Sequence, residues 1–189
     1  MEIRYLKDLE KVVFDEKWFK SAPNTELYYM FRGEKEKNGL RYDITVFNEG
    51  SLGQEFIKTK GHKHYQKIGE LYIVLQGKAI FLMQKNDNKT VQDVYFVLAK
   101  KNDVVIIPPE YGHVTYNASL KRKLKIANWV SKKCTNEYVF FEKMQGACYF
   151  LTKNGWIKNI KYKKIPKLRQ EMPFKKMPES LDFLKHEKP

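Results

Sequence analysis

The stretch KTKGHKHYQKIGELY, residues 58–72, carries the pattern that decides the fold. His62 and His64 stand one residue apart, and side chains alternate between the two faces of a strand, so both imidazoles are expected on one face. Glu70 follows after a short loop and opens an apolar run that ends at Gly77, which predicts a strand and then a tight turn. The pattern places two imidazoles and a carboxylate within reach of one metal ion.

A second segment, PPEYGHVTYN at 108–117, adds a third imidazole at His113. Three imidazoles and a carboxylate suit a borderline divalent metal such as iron, manganese, nickel, cobalt or zinc. Three or four protein ligands leave coordination positions open for substrate oxygens, which is typical of a catalytic site. The structural alternative is an exposed strand that carries His62 and His64, with His113 hydrogen-bonded in the core. We expect one divalent metal ion per subunit, bound by His62, His64, Glu70 and His113.

Short strand-like runs extend outward from these segments in both directions, separated by turns rich in Asn, Gly, Lys and Pro. Such spacing predicts a closed or double-sheeted antiparallel β structure. At the N-terminus, residues 3–19 predict a short amphipathic helix. Residues 137–150 are compatible with two strands or with an ordered cover. Asn154 and Gly155 predict a two-residue hairpin turn, and the basic segment after Lys161 predicts irregular structure, with a short helix near 181–185.

Composition narrows the class of protein. The chain has 189 residues, 42% of them hydrophobic, and no run approaches the roughly 20 apolar residues of a membrane span. Its first ten residues are charged throughout, unlike a signal peptide. Two cysteines, Cys134 and Cys148, are too few for a disulfide framework. We therefore expect a cytoplasmic protein with no membrane segment.

The formal net charge is +14. Such an excess either attracts an anionic ligand, nucleic acid or a phosphorylated metabolite, or reflects lysines on solvated faces. Arginine is scarce beside lysine, and specific base recognition depends on the arginine fork, so a sequence-specific DNA-binding protein is disfavoured. We therefore do not expect nucleic acid as a partner. Tight, salt-dependent binding to random DNA would reopen that possibility.

The two segments resemble the two motifs of the cupin family. The first matches at His62, His64, Glu70 and Gly77, and the second at Pro108, His113 and Asn117. Departures are Phe56, Asn102 and Glu110, where glycines are usual in the family. The resemblance implies a mostly β cupin barrel, a double-stranded β-helix or jelly roll, with a short N-terminal helix. We expect a helical segment at 1–26 packed on the barrel, the cupin barrel at 27–160 and a basic tail at 161–189.

Within the cupins, the chain is similar to the cupin-type glucose-6-phosphate isomerases. The likeness is carried by LKDLEKVVFDEKW at 6–18, DITVFNEGSLGQEFIKTKGHKH at 43–64 and PPEYGHVTYN at 108–117, and it fades beyond Trp129. It implies a metal-dependent aldose–ketose isomerase that interconverts glucose 6-phosphate and fructose 6-phosphate through an enediolate. A homodimer is expected by analogy. The alternatives are another metal-dependent cupin enzyme, such as a dioxygenase or a different sugar isomerase or epimerase, and a non-catalytic sugar-phosphate-binding cupin.

The same resemblance assigns roles to individual residues. It implies metal binding by His62, His64, Glu70 and His113, and sugar-phosphate binding by Thr45, Thr59 and Gly61, with added charge from Lys58 or Lys60. Glu70 is the expected catalytic base and Tyr72 a catalytic tyrosine that positions a substrate oxygen. An early tyrosine of the site corresponds to Tyr28 or Tyr29. Two family tyrosines are replaced, by Glu110 and by Trp129.

Overall fold

Strands far outnumber helices in this chain, as the short β-prone runs predict. The structure, a computed structural model, describes residues 1–185. The strands are Glu2–Tyr5 (β1), Glu26–Lys37 (β2), Leu40–Phe47 (β3), Ser51–Leu52 (β4), Glu55–Phe56 (β5), Lys63–His64 (β6), Glu70–Gln76 (β7), Lys78–Asp87 (β8), Thr90–Lys100 (β9), Val104–Ile107 (β10), Gly112–Asn117 (β11), Leu124–Ser131 (β12), Asn136–Glu137 (β13), Tyr149–Thr152 (β14), Gly155–Lys158 (β15) and Arg169–Glu171 (β16). The helices are Glu16–Ser21 (α1), Val139–Lys143 (α2) and two 3-10 helices, Leu6–Val12 and Asp182–Leu184. No helix within residues 1–185 is long and apolar enough to cross a membrane.

Two sheets enclose the main core. The larger sheet has the strand order β1-β2-β3-β12-β7-β10, and the smaller has the order β11-β8-β9-β16. Phe47 and Val74 from the larger sheet and Phe81 and Met83 from the smaller one share a single buried cluster, so the two sheets face each other. The mostly β, double-sheeted barrel predicted from the sequence is confirmed.

The outer face of the smaller sheet is also buried. Leu82 and Tyr116 alternate with inward-facing neighbours and pack against Phe141 of α2 and Tyr149 of β14 in a second cluster. Residues 137–150 therefore form an ordered cover rather than two full strands. Because both faces of the smaller sheet are covered, the histidine segment on its edge is supported by the outer cluster as well as by the interior of the barrel.

The N-terminal segment differs from the continuous amphipathic helix predicted over residues 3–19. Residues 2–5 form strand β1, which pairs antiparallel with β2, and a 3-10 helix and α1 follow. Leu6, Leu9 and Val12 are buried at three-residue intervals, which a 3-10 helix places on one face. The apolar face was predicted correctly. The helix type was not, because spacing of three residues fits both kinds of helix.

The C-terminal segment is more ordered than predicted. β16 pairs parallel with β9, and Phe174 then bridges to Val104 of β10, so the segment joins the edges of both sheets. The predicted helix near 181–185 appears as the 3-10 helix Asp182–Leu184. The rest of the predicted tail, 186–189, lies outside the described residues. The division into 1–26, 27–160 and 161–189 stays a prediction.

The predicted hairpin turn is shifted by one residue. Thr152 pairs with Gly155, so the loop residues between β14 and β15 are Lys153 and Asn154 rather than Asn154 and Gly155. Gly155 has a φ of +108° and opens the second strand. A left-handed backbone at that point is what favours glycine there.

Gly77, the residue that separates β7 from β8, provides a stability test of the predicted tight turn. Its φ is +85°, and a Cβ atom there would lie 2.8 Å from the carbonyl oxygen of Lys123. Gly39→Ala is the matched control, because Gly39 has a φ of +79° and no atom within 4 Å of an added Cβ. Both changes cost about 1–2 kcal/mol for the left-handed backbone. Gly77→Ala should lose at least ~1 kcal/mol more in urea unfolding, and equal losses would contradict the close approach.

Candidate metal and substrate site

Backbone pairing joins the two histidine segments, which lie far apart in the sequence. The amide of His113 donates to the carbonyl of His62 at 2.8 Å, and the amide of His62 donates back to the carbonyl of His113 at 3.2 Å. His113 belongs to β11, while His64 belongs to the two-residue strand β6. Glu70 is the first residue of β7 in the larger sheet. The site therefore lies where the edge of the smaller sheet meets the larger sheet.

Three imidazole nitrogens converge on one carboxylate oxygen. The Nε2 atoms of His64 and His113 each lie 3.5 Å from Oε2 of Glu70, and Nε2 of His62 lies 4.0 Å from it. The ligating atoms of His62, Glu70 and His113 are all within 4.8 Å of one another. The structure thus brings together all four residues that the sequence predicts as metal ligands.

In His64 and Glu70 the outward-facing atoms are held, whereas the converging atoms are not. His113 is the reverse: its Nε2 lies 3.1 Å from the hydroxyl of Tyr72, and its buried Nδ1 has no hydrogen-bond partner within residues 1–185. Nδ1 of His64 donates to the carbonyl of Ile68 at 2.9 Å, and Oε1 of Glu70 accepts from Nδ2 of Asn128 at 2.6 Å. Nε2 of His64 and Oε2 of Glu70 are buried and have no hydrogen-bond partner within residues 1–185. A buried polar atom without a partner costs about 1–3 kcal/mol. These nitrogen and oxygen donors fit a first-row divalent ion.

Burial and close charges set the protonation of the cluster. Burial lowers the pKa of His113 to about 4, and burial together with His113 and His64 holds the pKa of His62 well below its ordinary value. Burial also opposes the charged form of His64, but contacts with Cys134 and Glu70 outweigh it and raise that pKa to about 10. Without a metal, His64 is therefore the cation that balances Glu70. Metal binding must displace its proton, because a ligating imidazole is neutral.

The predicted substrate-binding residues line one cleft beside this cluster. Thr45, Thr59, Gly61 and Tyr72 all face it, together with His62 and Glu70. The hydroxyl of Tyr72 lies 3.1 Å from Nε2 of His113. Burial and the neighbouring Glu70 raise the pKa of Tyr72 well above its ordinary value, so its hydroxyl keeps its proton.

Gly61 allows the loop before the histidine pair to pack closely against Val114 and Phe141. Its φ is +83°, and a Cβ atom there would lie 2.6 Å from a methyl carbon of Val114 and 2.8 Å from the ring of Phe141. Oγ1 of Thr59 accepts from the amide of Thr115 at 3.0 Å, which fixes the threonine and leaves its hydroxyl hydrogen for another acceptor. The turn before the histidine pair is therefore tied to the smaller sheet.

The structure distinguishes between residues that the sequence left as alternatives. Tyr28 lines the cleft, whereas Tyr29 faces outward and donates to Glu26 at 2.5 Å. Lys60 also lines the cleft. Lys58 does not, because its ammonium group is buried 2.6 Å from Oε1 of Glu55.

The two replaced family positions lie away from the cleft. Trp129 packs against Tyr42 with ring centroids 4.9 Å apart on the opposite face of the larger sheet, and Asn128 takes the inward position. Glu110 pairs with Lys85 at 3.0 Å. Trp129 therefore does not line the cleft. β12 is buried on both faces, so its polarity does not reveal which residues point inward.

Sequence reasoning missed several residues of the cleft, namely Arg4, Arg32, Arg41, Asn128 and Tyr138. For Asn128, a usable signal was its position on β12, two residues after the inward-facing core residue Ile126. The arginines carried no comparable signal, because charged residues are usually exposed to solvent.

Asn128→Ala tests the support of Glu70. Loss of the 2.6 Å hydrogen bond to Oε1 frees the carboxylate to rotate, and removal of such a supporting partner typically weakens metal affinity about 10- to 100-fold. Competition with a chelator of known affinity measures the change. Asn136→Ala, which alters another amide lining the cleft, is the control. Equal metal affinity in the two variants would contradict the role of Asn128.

Comparison with known proteins gives one family. The family model described as glucose-6-phosphate isomerase (GPI) matches residues 3–167. The glucose-6-phosphate isomerase of Pyrococcus furiosus is 31% identical over 121 residues, covering 61% of this chain and 62% of the relative. That of Thermococcus litoralis is 30% identical over 126 residues, covering 63% and 64%. The chain thus matches less than two thirds of the length of these relatives.

Solved structures are more distant. An oxalate oxidase in complex with glycolate aligns with a TM-score of 0.48 and 15% identity, over 63% of this chain and 57% of that one. A cupin superfamily protein from Desulfitobacterium hafniense aligns with a TM-score of 0.35 and 14% identity, over 55% and 76%. The family model is the stronger finding, since it spans most of the sequence and includes both histidine segments. This chain belongs to the glucose-6-phosphate isomerase family.

Proposed function

We propose that this protein is a metal-dependent aldose–ketose isomerase that interconverts glucose 6-phosphate and fructose 6-phosphate. The observation that carries the proposal is the convergence of three imidazole nitrogens and Oε2 of Glu70 at one wall of a polar cleft. Membership of the family and the names of its relatives support the substrate.

The proposed ligands of one divalent ion per chain are Nε2 of His62, His64 and His113 and Oε2 of Glu70. Iron, manganese, nickel, cobalt and zinc all suit this set of donors. When bound, such an ion supplies a Lewis acid that polarises the substrate carbonyl and favours negative charge on its oxygen. The hydrogen bonds from Nδ1 of His64 and to Oε1 of Glu70 orient two of the ligands before the ion arrives.

Glu70 is the proposed base. Burial alone raises the pKa of this carboxyl, but His64 and His113 outweigh burial and hold the pKa below its ordinary value. The group is then a carboxylate at neutral pH. Its carboxylate takes the proton from C2 of the open-chain sugar, which leaves an enediolate, and returns the proton to C1, while the hydroxyl proton on O2 passes to O1.

The remaining assignments concern substrate position. Tyr72 keeps its proton and donates to a substrate oxygen beside His113. The hydroxyls of Thr45 and Thr59 and the backbone amide of Gly61 donate to the phosphate, since hydroxyls and backbone N–H groups are good donors to phosphate oxygens. This arrangement is supported by the position of all four residues, which line one cleft together with Glu70.

We also propose a cytoplasmic homodimer. Strand β1 is paired only with β2 in the described part of the chain and leaves one edge of the larger sheet for a second copy. Both cysteines are free thiols, as a reducing compartment would allow. Sedimentation of the purified protein measures the oligomeric state.

The test of function is conversion of fructose 6-phosphate to glucose 6-phosphate by the purified protein before and after chelation. The expected result is turnover that disappears with chelation and returns with added Fe²⁺, Mn²⁺, Ni²⁺, Co²⁺ or Zn²⁺. Stoichiometric metal and sugar-phosphate binding with no turnover for any of these ions would instead favour a non-catalytic sugar-phosphate-binding protein.

The role of Glu70 has its own measurement. Isomerisation in D₂O is expected to place deuterium from solvent at C2 of glucose 6-phosphate, because a carboxylate exchanges its proton with water. Mass spectrometry of the product detects the added mass unit. Complete retention of the original hydrogen would point to a direct hydride shift between C1 and C2 and would remove Glu70 from the role of base.

A further inference from the structure

A group of arginines lies at the mouth of the cleft and has no part in the proposed reaction. Arg32 on β2 and Arg41 on β3 both line the cleft that Glu70 and Tyr72 face. What distinguishes them is a shared partner, Asp43. The inference below rests on the proposed function and extends it to substrate selection.

Asp43 fixes both guanidinium groups. The carboxylate is 1% exposed; its Oδ2 accepts from Nη1 of Arg32 at 3.1 Å and from Nε of Arg41 at 3.0 Å. Its Oδ1 accepts from the amide of Gly33 at 2.8 Å. A buried carboxylate is costly unless it is paired, so Asp43 constrains both arginines to this wall of the cleft.

A local distortion of β2 makes this arrangement possible. The pairing of β2 with β3 shifts register between Phe31 and Lys35, and Gly33 inside the shift has a φ of +66°. The bulge turns the Gly33 amide toward Asp43, beside Arg32. Bulges often re-aim a side chain next to a functional site.

The charges around Asp43 do not cancel. Two arginines face the single carboxylate of Asp43. Arg32 also pairs with Glu2 at 3.4 Å, but the side chain of Glu2 is 48% exposed, so solvent screens this second pair. Within residues 1–185, the two Nη groups of Arg41 have no hydrogen-bond partner. Lys60 at the same cleft is already paired with Glu142 at 2.5 Å. Arg41 therefore presents a positively charged guanidinium group whose two Nη atoms can bind an anion.

The arginines stand at a suitable distance from the reacting end. Asp43 lies opposite Asn128, and Asn128 lies opposite Tyr72, so the three occupy neighbouring strands β3, β12 and β7. Two strand spacings are roughly 10 Å. That separation is comparable to the length of an extended hexose phosphate. Thr45 follows Asp43 by two residues on β3, so a phosphate held by Thr45, Thr59 and Gly61 lies in the same cleft as the guanidinium groups that Asp43 orients.

We propose that Arg41 and Arg32, oriented together by Asp43, bind the phosphate dianion of the substrate and make the cleft select phosphorylated sugars over neutral ones. A guanidinium group offers parallel N–H donors that match two phosphate oxygens. Binding of this kind is present in both ground state and transition state. Its loss is expected to raise KM while kcat changes little.

The test is calorimetric binding of sorbitol 6-phosphate, which has no carbonyl to isomerise, to the metal-loaded full chain. Arg41→Gln is expected to weaken binding about 10- to 100-fold, as loss of a charge-assisted contact would. Metal content should stay at the wild-type value. Arg122→Gln, which removes the same charge from an exposed position outside the cleft, should change the affinity less than about twofold.

Arg41→Lys keeps a positive charge beside Asp43 and covers the case in which Arg41→Gln does not fold. A several-fold loss of sorbitol 6-phosphate affinity is expected, because an ammonium group cannot form the parallel pair of bonds. Wild-type affinity in a folded Arg41 variant, or wild-type protein that binds sorbitol 6-phosphate no better than sorbitol, overturns the proposal. Arginine-dependent binding in a protein without isomerase turnover leaves the phosphate site standing and removes only the proposed reaction.

Discussion

Replacement of His113 by alanine is expected to abolish stoichiometric metal binding and to lower kcat/KM for fructose 6-phosphate by about 100- to 1,000-fold or more. His113 is 2% exposed, and its Nε2 lies 3.5 Å from Oε2 of Glu70. Its removal takes away one of the four converging donors and leaves only His62, His64 and Glu70. Elemental analysis after gel filtration and steady-state kinetics measure the two effects.

Thr115→Val is the matched control for that experiment. Thr115 is two residues further along β11 and is equally buried, and its Oγ1 has no hydrogen-bond partner within residues 1–185. Valine has nearly the same shape, so metal content and turnover should stay close to the wild-type values. Full metal occupancy and turnover in His113→Ala would show that the histidine is a structural core residue.

Replacement of Lys58 by methionine is expected to lower the free energy of unfolding by about 3–5 kcal/mol. Lys58 and Glu55 are fully buried, and the ammonium group donates to Oε1 of Glu55 and to the carbonyl of Val12, each at 2.6 Å. Methionine fills similar space but leaves Glu55 as an unpaired buried charge. Oε2 of Glu55 also accepts from the amide of Phe14 at 3.1 Å, so the N-terminal segment loosens as well.

Two further variants separate charge from packing at this pair. Lys58→Met combined with Glu55→Gln should recover a large part of the loss, because the amide still accepts from Phe14 and carries no charge. Lys132→Met breaks a half-exposed ion pair with Glu36, and a loss below about 1 kcal/mol is expected. Equal losses for Lys58→Met and Lys132→Met in denaturant unfolding would contradict the importance of burial.

Local sequence pattern was sufficient to predict that the three histidines and Glu70 lie together, and to predict the class of fold. The histidine pair, Glu70 and His113 each stand at a strand or its immediate edge, where alternation of side chains predicts orientation. Pattern was insufficient where strands are covered on both faces. Every residue of β11 is buried, so its polarity alone does not tell which side chains face the barrel.

Other features depend on contacts that the sequence does not display. Lys58 is adjacent in sequence to the turn that we propose binds the substrate, yet its amine pairs with the carboxylate of Glu55 in the core. The bulge at Gly33 aims Arg32 at Asp43, and no periodic pattern predicts a bulge there. The sequence could not predict that residues 6–12 form a 3-10 helix, because the spacing of their apolar residues also suits an α-helix.

The most direct test of the central claim is a titration of metal-free protein with one divalent ion, such as Mn²⁺ or Ni²⁺, in which bound metal and turnover of fructose 6-phosphate are measured on the same samples. The account predicts turnover that rises in proportion to bound metal and stops rising at one ion per chain, with both signals lost in His62→Ala. Turnover by metal-free protein, or one tightly bound ion per chain without any turnover, would contradict it.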